Sequence, residues 1–176
     1  MKLEIPYVEK IVPDAYHGTT AVSAHQILKS GKFKVSNRSD DWLGSGVYFF
    51  ESSLRFAQRQ GKKIASGNSI GVICATINLG RCLNLNDLNH AEAVKATKKE
   101  LLKNGVKEVT DALAINAVAH ISKAEVVRGS FVWDGFGRIS RRLPLAHPIF
   151  ICVRVQKNIL SMNLYYEGEY NEKQMV

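Results

Sequence analysis

The sequence predicts a single α+β domain. Its 176 residues suit one domain, and 45% hydrophobic against 23% charged residues is close to average globular usage. Strand-like and helix-like segments are mixed along the chain without the strand–helix–strand alternation of a parallel α/β sheet, and strand-like segments outnumber helical ones. This composition excludes intrinsic disorder and a coiled coil. The sequence contains no run of about 18 consecutive apolar residues, so no membrane span is predicted.

The first predicted helix has clear signals at both ends. Residues 11–16 precede the tripeptide His17-Gly18-Thr19, which we interpret as a turn. Apolar residues at helical spacing then predict a helix over 20–30. Thr20 is a suitable N-cap, and Gly31 is a natural stop after the last turn.

A polar segment separates this helix from a short apolar strand. Residues 34–41 are expected to form a loop that leads through the glycine-containing segment 42–46 into a buried strand at 47–50. A second helix is expected from Ser52 or Ser53 to Gln60, closed by Gly61.

The remaining elements follow the same criteria of periodicity and turn signals. A polar, tyrosine-rich tail at 164–176 is expected to be peripheral to the single domain that spans 1–176. The expected elements are a central strand at 70–79, helices at 91–103 and 109–123, a strand and its turn at 125–136, and a strand at 148–155.

The chain is basic, with 24 Lys and Arg against 16 Asp and Glu, a formal net charge of +8. Such a balance favours association with polyanions such as nucleic acid, although a basic domain without such a partner is the alternative. The amino-terminal residues 1–10 lack the apolar run of a secretory signal, so the expected location is the cytoplasm.

Metal chemistry is not predicted. The three cysteines Cys74, Cys82 and Cys152 show no C-x-x-C spacing, and two of them lie in apolar strand-like runs, which favours free thiols. The five histidines form no ligand pair at zinc-binding spacing. We therefore expect no metal cofactor.

A group of motifs in the first third of the chain carries the functional signal. Tyr16-His17-Gly18-Thr19 places an imidazole beside a glycine whose backbone is open, and Gly44-Ser45-Gly46 precedes Tyr48 on a strand. Glycines allow the backbone to approach a planar ligand, and the aromatic ring offers a stacking face. The glycines open a strand rather than a helix, so the dinucleotide-binding fingerprint of parallel sheets does not apply.

In this order and spacing the motifs resemble the ADP-ribosyltransferase superfamily of the diphtheria-toxin and poly(ADP-ribose) polymerase type. The resemblance is carried by HGTTAVSAHQILKSGKF at 17–33 and WLGSGVYFFESSLRFA at 42–57, and extends more loosely through 127–155. It implies a split, mixed β-sheet with flanking helices, and NAD+ as co-substrate. More narrowly, the chain is similar to small bacterial single-domain transferases that act as toxins or anti-phage effectors.

The resemblance also implies roles for individual residues. His17 would hydrogen-bond the nicotinamide ribose, Gly18 would hold the carboxamide through its backbone, and Tyr48 would stack on the nicotinamide ring. Phe56 would cover the other face of that ring. Further cofactor contacts are expected from Thr19, Phe49 and Ser52, and His17 and Tyr48 are the expected catalytic residues.

The chain departs from the family pattern at the third motif residue, typically a glutamate near the start of a late strand. The equivalent position falls near Ile149 or Phe150, and neither carries a carboxylate. The resemblance then implies transfer of a single ADP-ribose, without polymer synthesis. A carboxylate from elsewhere, such as Glu167 or Glu169, and an inactive copy of the fold are the alternatives.

Arg138, Arg141 and Arg142 form a basic run where transferases of this fold hold their acceptor, so we expect them to bind the substrate. The acceptor is expected to be RNA or DNA, with a protein side chain as the alternative, and an antitoxin is a possible further partner. A catalytically degenerate module that binds NAD+, ADP-ribose or nucleic acid is a competing hypothesis. A tRNA 2′-phosphotransferase is a third, although the basic catalytic residues of that branch are not found.

Three other polar residues invite a structural or a functional interpretation. Asn116 interrupts an apolar helical stripe and is expected to hydrogen-bond inward. Asp111 lies on another face of the same helix. Arg128 is expected either to pair with a carboxylate, to reach a pyrophosphate, or to lie at the surface of its strand.

Overall fold

A computed structural model describes residues 3–131 and 147–170 and shows an α+β fold, as the sequence predicts. Its described part contains one seven-stranded mixed sheet and four α-helices. The strands are β1 Val8–Thr20, β2 Val47–Glu51, β3 Ile70–Gly80, β4 Cys82–Asn84, β5 Val126–Ser130, β6 Ile149–Val153 and β7 Ile159–Gly168. The helices are α1 Ala21–Ser30, α2 Leu54–Ala65, α3 Leu88–Lys103 and α4 Asp111–Ile121, and a 3-10 turn spans Gln156–Asn158.

The sheet has the strand order β4-β5-β6-β2-β1-β3-β7, in which β4 and β5 are parallel and the other neighbouring pairs are antiparallel. Strands β3 and β4 are separated by the single residue Arg81, yet β4 lies at one edge of the sheet and β3 is next to the other. One residue spans only about 7 Å between its neighbours, so the sheet must fold back on itself.

Two apolar clusters fill the space around this curved sheet. One joins residues of β1 and β3, such as Val12 and Ile73, to residues of β2 and β6, such as Phe49 and Ile151. The other lies on the opposite face, where α2 and α4 cover the sheet with residues that include Phe56. Strand β2 separates the two clusters, because alternate side chains of a strand point to opposite faces.

Helix α1 begins and ends where the sequence predicts. The hydroxyl oxygen of Thr20 accepts a hydrogen bond from the backbone N–H of Ser23, and Gly31 adopts a left-handed conformation at φ 70°. The N–H of Gly31 donates to the carbonyl of Ile27. These two interactions satisfy backbone groups that the helix ends leave without intrahelical partners.

Several predicted boundaries are wrong. His17-Gly18-Thr19 is not a turn but the end of β1, paired with β3. Helix α2 continues through Gly61 to Ala65, because Gly61 packs against β1, where a Cβ atom would lie 3.1 Å from the carbonyl oxygen of Thr19. Helix α3 begins at Leu88, three residues before the expected start, because Asp87 caps it.

The carboxyl-terminal part of the chain also differs from the prediction. Strand β7 runs to Gly168 and pairs with β3 along its length, so residues 164–168 belong to the sheet and are not peripheral. Strand β4 is absent from the predicted elements, since it has only three residues. The predicted turn that follows β5 and the arginines at 138, 141 and 142 lie outside the described residues.

Candidate active site

A cavity of about 440 Å³ opens where β1 and β2 diverge. In the described chain these strands pair only at Ala15 with Glu51 and Tyr16 with Phe50, after which β1 continues along β3 and β2 along β6. The gap exposes backbone and side chains from the middle of the sheet. Its wall includes His17, Gly18, Tyr48, Phe50, Lys63 and Phe150, together with residues from the segment 34–46.

His17 connects the two diverging strands through its side chain. Its Nδ1 lies 2.8 Å from the carbonyl oxygen of Tyr48, and because a carbonyl only accepts, Nδ1 carries the proton. Burial lowers the pKa of His17 below its usual value, although this hydrogen bond favours the charged form. The ring is therefore neutral at pH 7, and its Nε2 is an acceptor suited to a hydroxyl group.

Aromatic packing holds the imidazole of His17 in one orientation. Its ring lies 5.1 Å from that of Phe33 at an interplanar angle of 80°, and 5.6 Å from that of Phe49 at 56°. Phe33 and Phe49 are buried members of one apolar cluster. The rigid core therefore orients the polar side chain at the cavity wall.

Position 18 must be a glycine because α2 packs closely against it, and Gly18 also lies at the cavity wall. A Cβ atom at this position would lie 1.7 Å from the carbonyl oxygen of Ala57 in α2, which is a severe overlap. The glycine thus allows α2 to pack directly on the backbone of β1. The same absence of a side chain leaves the Gly18 backbone at the cavity wall.

Tyr48 places its ring along the cavity and uses its hydroxyl to hold the preceding turn. The hydroxyl accepts a hydrogen bond from the N–H of Leu43 at 2.9 Å and donates one to the carbonyl of Gly44 at 2.7 Å. Burial raises the pKa of Tyr48, so the hydroxyl stays protonated at neutral pH. Its ring, rather than its hydroxyl, is available to a ligand.

The structure brings His17, Gly18 and Tyr48 together but places the other predicted cofactor contacts elsewhere. Phe49 is fully buried on the opposite face of β2, and Thr19 is buried behind the cavity wall. Phe56 lies in the core, stacked on Phe50 with ring centroids 5.8 Å apart. Phe50 itself lies at the cavity wall.

Ser52 also lies away from this wall. Its backbone has a positive φ of 52°, and its N–H donates to the carbonyl of Asp14 at 2.7 Å. Ser52 thus forms the bend that leads from β2 into α2.

Near the position that corresponds to the third motif residue, the cavity wall carries the apolar side chain of Phe150. Phe150 of β6 is paired with Phe50 of β2, and its ring lies 4.7 Å from that of Phe50 and 5.2 Å from that of Trp42. Glu167, a sequence candidate for a replacement carboxylate, lies on β7 and pairs with His25 in an exposed contact at 2.8 Å. Neither Glu167 nor Glu169 lies at the wall of this cavity.

Sequence reasoning did not assign a role to the segment 34–42, which forms one side of the cavity. Ser36 and Gly46 exchange two backbone hydrogen bonds, of 2.8 and 3.0 Å, which connect this segment to the start of β2. Asp41 follows on the wall, and the ring of Trp42, 45% exposed, comes next. The available signal in the sequence was a polar loop that ends in two adjacent aspartates directly before a tryptophan.

A second cavity of about 440 Å³ lies beside the first. The two share Asp40, Asp41 and Trp42, which form the partition between them. The second cavity continues toward Phe131 and toward Thr110, the N-cap of α4.

Asn116 hydrogen-bonds inward, as expected, and one of its partners lies in the turn that precedes β2. Its side-chain oxygen accepts from the N–H of Ser45 at 2.9 Å and from the guanidinium of Arg154 at 2.6 Å. Its amide donates to the Ser45 hydroxyl at 3.2 Å. Helix α4 therefore anchors the turn at Gly44-Ser45.

Arg128 pairs with a carboxylate, which is one of the three roles considered for it. Its guanidinium donates to both oxygens of Glu51, at 2.6 and 2.9 Å, and both side chains are largely buried.

The three cysteines are free thiols; Cys152 is buried, while Cys74 and Cys82 are half-buried.

Comparison with known proteins adds no family assignment. No family model matches the chain, and no curated protein matches it. Within the described part of the chain, no helix combines the length and the apolar character needed to cross a membrane. The functional argument therefore rests on the residues and their geometry.

Proposed function

We propose that this chain is an NAD+-dependent mono-ADP-ribosyltransferase. The observation that carries the proposal is the arrangement of His17, Gly18 and Tyr48 around one cavity where the sheet opens. They are three of the residues to which the sequence resemblance assigns the nicotinamide half of NAD+; Phe56, to which it assigns the other face of the ring, lies in the core. The cavity volume of about 440 Å³ is within the range of small-molecule sites.

Each of the three residues presents a group that suits nicotinamide riboside. The Nε2 of neutral His17 accepts a hydrogen bond from a ribose hydroxyl, because Nδ1 carries the proton. The backbone of Gly18, which lies at the cavity wall, would pair with the carboxamide. The ring of Tyr48 provides a stacking face, and such aromatic contacts contribute about 0.5–1.5 kcal/mol.

These contacts act on cleavage of the bond between C1′ of the ribose and N1 of nicotinamide. The electron pair of this bond leaves with nicotinamide, and positive charge develops on C1′ and the ring oxygen. Orientation of the ribose by His17 and of the base by Gly18 and Tyr48 favours this geometry. An acceptor nucleophile then bonds to C1′ and loses its proton.

A nucleic acid is the acceptor class that the charge favours. The chain has a net charge of +8, and Lys34, Arg38 and Lys63 lie on the cavity wall. A role as a bacterial toxin or anti-phage effector, held by an antitoxin, is the biological setting that the resemblance implies.

The second candidate is a binding module that holds NAD+ or ADP-ribose without turnover. The apolar ring of Phe150, where the family pattern has a glutamate, favours it.

The proposal is tested with NAD+ labelled in its adenylate phosphate, incubated with the purified chain and a cell lysate. We expect label in the RNA or DNA fraction. His17→Ala should lower NAD+ turnover by at least about 100-fold, because the ribose is no longer oriented. His25→Ala is the matched control, since His25 is an exposed histidine paired with Glu167 away from the cavity.

Each outcome of this experiment assigns one class. Label in the protein fraction, lost with His17→Ala, would keep the transferase and move the acceptor to protein. Intact NAD+ that still binds in calorimetry would replace the transferase with the binding module. Full activity of a folded His17→Ala variant would remove the site assignment.

A further inference from the structure

The cleavage proposed above requires negative charge near C1′, and Phe150 cannot supply it. Developing positive charge is stabilised by a carboxylate that is fixed close to it, and more strongly where a bound substrate excludes water. Among residues 3–131 and 147–170, the carboxylates on the wall of the first cavity are those of Asp40 and Asp41. The two differ in how they are held.

Asp41 is fixed in position by two hydrogen-bond donors, one of which is shared between its two oxygens. Its oxygens accept from the hydroxyl of Ser36 at 2.8 and 2.9 Å and from the backbone N–H of Arg38 at 2.7 Å. Ser36 is itself connected to Gly46 by paired backbone hydrogen bonds, and Gly46 directly precedes β2. The carboxylate of Asp41 is thus held relative to the strand that carries Tyr48.

Asp40 is held differently. Its side chain is 67% exposed and pairs with the guanidinium of Arg38 at 2.8 Å, so its charge is largely neutralised and solvated. Asp41 has no guanidinium contact of this kind among the described interactions, and its charge adds to burial in raising the pKa of Tyr48. The negative charge of Asp41 therefore acts on Tyr48, the side chain that we assign to the nicotinamide ring.

The position of Asp41 between the two cavities gives it a second use. His17 and Tyr48 line the first cavity. The second cavity lies beside it, and Asp41 and Trp42 line both. Asp41 is therefore a carboxylate residue on the wall of both cavities, beside the proposed site of NAD+. It can stabilise the cation and then take the proton of the nucleophile.

We propose that Asp41 is the catalytic carboxylate of NAD+ cleavage, which stabilises the positive charge at C1′ and takes the proton of the acceptor. This inference rests on the proposed transferase function. The bond from C1′ to nicotinamide breaks, and its electron pair leaves with nicotinamide. An N–H or O–H group of the acceptor forms the new bond to C1′, and its proton passes to the Asp41 carboxylate and then to water.

The test compares Asp41→Asn with wild type in nicotinamide release and in NAD+ affinity by calorimetry. Asparagine keeps an oxygen that accepts from Ser36 or Arg38 but removes the charge. We expect kcat to fall by at least about 100-fold, which is typical of losing one electrostatic or acid–base group, while the Kd for NAD+ stays within about threefold. Asp41→Glu, which restores the charge one methylene away, should recover part of this loss.

Glu167→Gln is the matched control, because it neutralises a carboxylate that lies on β7 outside both cavities. It should keep wild-type kcat. Thermal unfolding of each variant checks that the loop and the fold are intact.

The outcomes separate this inference from the proposed function. Asp41→Asn with wild-type kcat would overturn the role of Asp41 and leave the transferase in place. A large rise in the Kd for NAD+ at unchanged kcat would make Asp41 a binding residue and also overturn the inference. Absence of nicotinamide release from wild type would overturn the transferase itself.

Discussion

Individual residues at the candidate active site combine structural and chemical requirements. Gly18 has no side chain because α2 packs on it, and the same feature leaves its backbone at the cavity wall. His17 is oriented by two buried rings and by the carbonyl of Tyr48. The two parts of the Tyr48 side chain have different roles. Its hydroxyl donates to the carbonyl of Gly44 and holds the turn, while its ring faces the cavity.

This division of functions can be tested with Tyr48→Phe. The change leaves the buried N–H of Leu43 without its hydroxyl partner, and it leaves the carbonyl of Gly44 with the thiol of Cys152 at 3.6 Å as its side-chain donor. The free energy of unfolding should fall by about 1–2 kcal/mol, the usual effect of leaving buried polar groups unpaired. NAD+ affinity should change far less, because the aromatic ring remains.

Urea denaturation and calorimetry with NAD+ measure these two quantities. Tyr48→Ala, which also removes the ring, is the comparison and should weaken NAD+ binding by a stacking contribution of about 1 kcal/mol. Equal stability of Tyr48→Phe and wild type would contradict the structural role of the hydroxyl.

At the level of secondary-structure elements, the candidate active site depends on contacts between parts of the chain that are distant in sequence. Helix α4 holds the turn before β2 through Asn116, and Arg154, just after β6, binds the same side-chain oxygen. A Cβ atom at Gly44 would lie 2.5 Å from that oxygen, so the turn and the helix pack closely. The position of Tyr48 therefore depends on α4.

Asn116→Ala should lower the free energy of unfolding by about 1–3 kcal/mol, because the N–H of Ser45 and the guanidinium of Arg154 lose their common acceptor. It should also weaken NAD+ binding, since the turn that aligns Tyr48 is released. Chemical denaturation and calorimetry give both values. Asn116→Asp is the control; it keeps the acceptor oxygen opposite Arg154, so equal losses in the two variants would contradict this explanation.

For the whole molecule, net charge and sheet curvature have separate consequences. The charge of +8 favours polyanionic partners but does not specify where they bind. The single residue between β3 and β4 requires a curved sheet, and the cavity lies where β1 and β2 of this sheet diverge.

The role of the basic run can be measured through salt dependence. Changing Arg138, Arg141 and Arg142 together to glutamine should reduce the slope of log affinity for an RNA or DNA oligonucleotide against log salt by about 2, because each phosphate contact contributes about 0.7–0.9. Fluorescence anisotropy over a range of salt concentrations gives this slope. Changing the exposed Lys99, Lys103 and Lys107 removes the same charge elsewhere, so an equal effect would assign the dependence to total charge.

Local signals were sufficient for some elements, and they singled out three residues that line one cavity. The cap at Thr20 and the stop at Gly31 predict α1 because they act within a few residues. The motifs around His17, Gly18 and Tyr48 likewise indicate a shared site, and the structure places them on one cavity. The absence of a carboxylate at Phe150 was also evident from the sequence.

Tertiary contacts decided the rest. Gly61 ends a helix by local rules, yet α2 continues through it because close packing on β1 needs a residue without a side chain. Periodicity does not tell which side of a strand faces a cavity, so Phe49 was assigned to the ligand although the core encloses it, and Phe50 faces the cavity. The place of Asp41 between two cavities depends on how a polar loop pairs with Gly46, a contact over ten residues that no local pattern specifies.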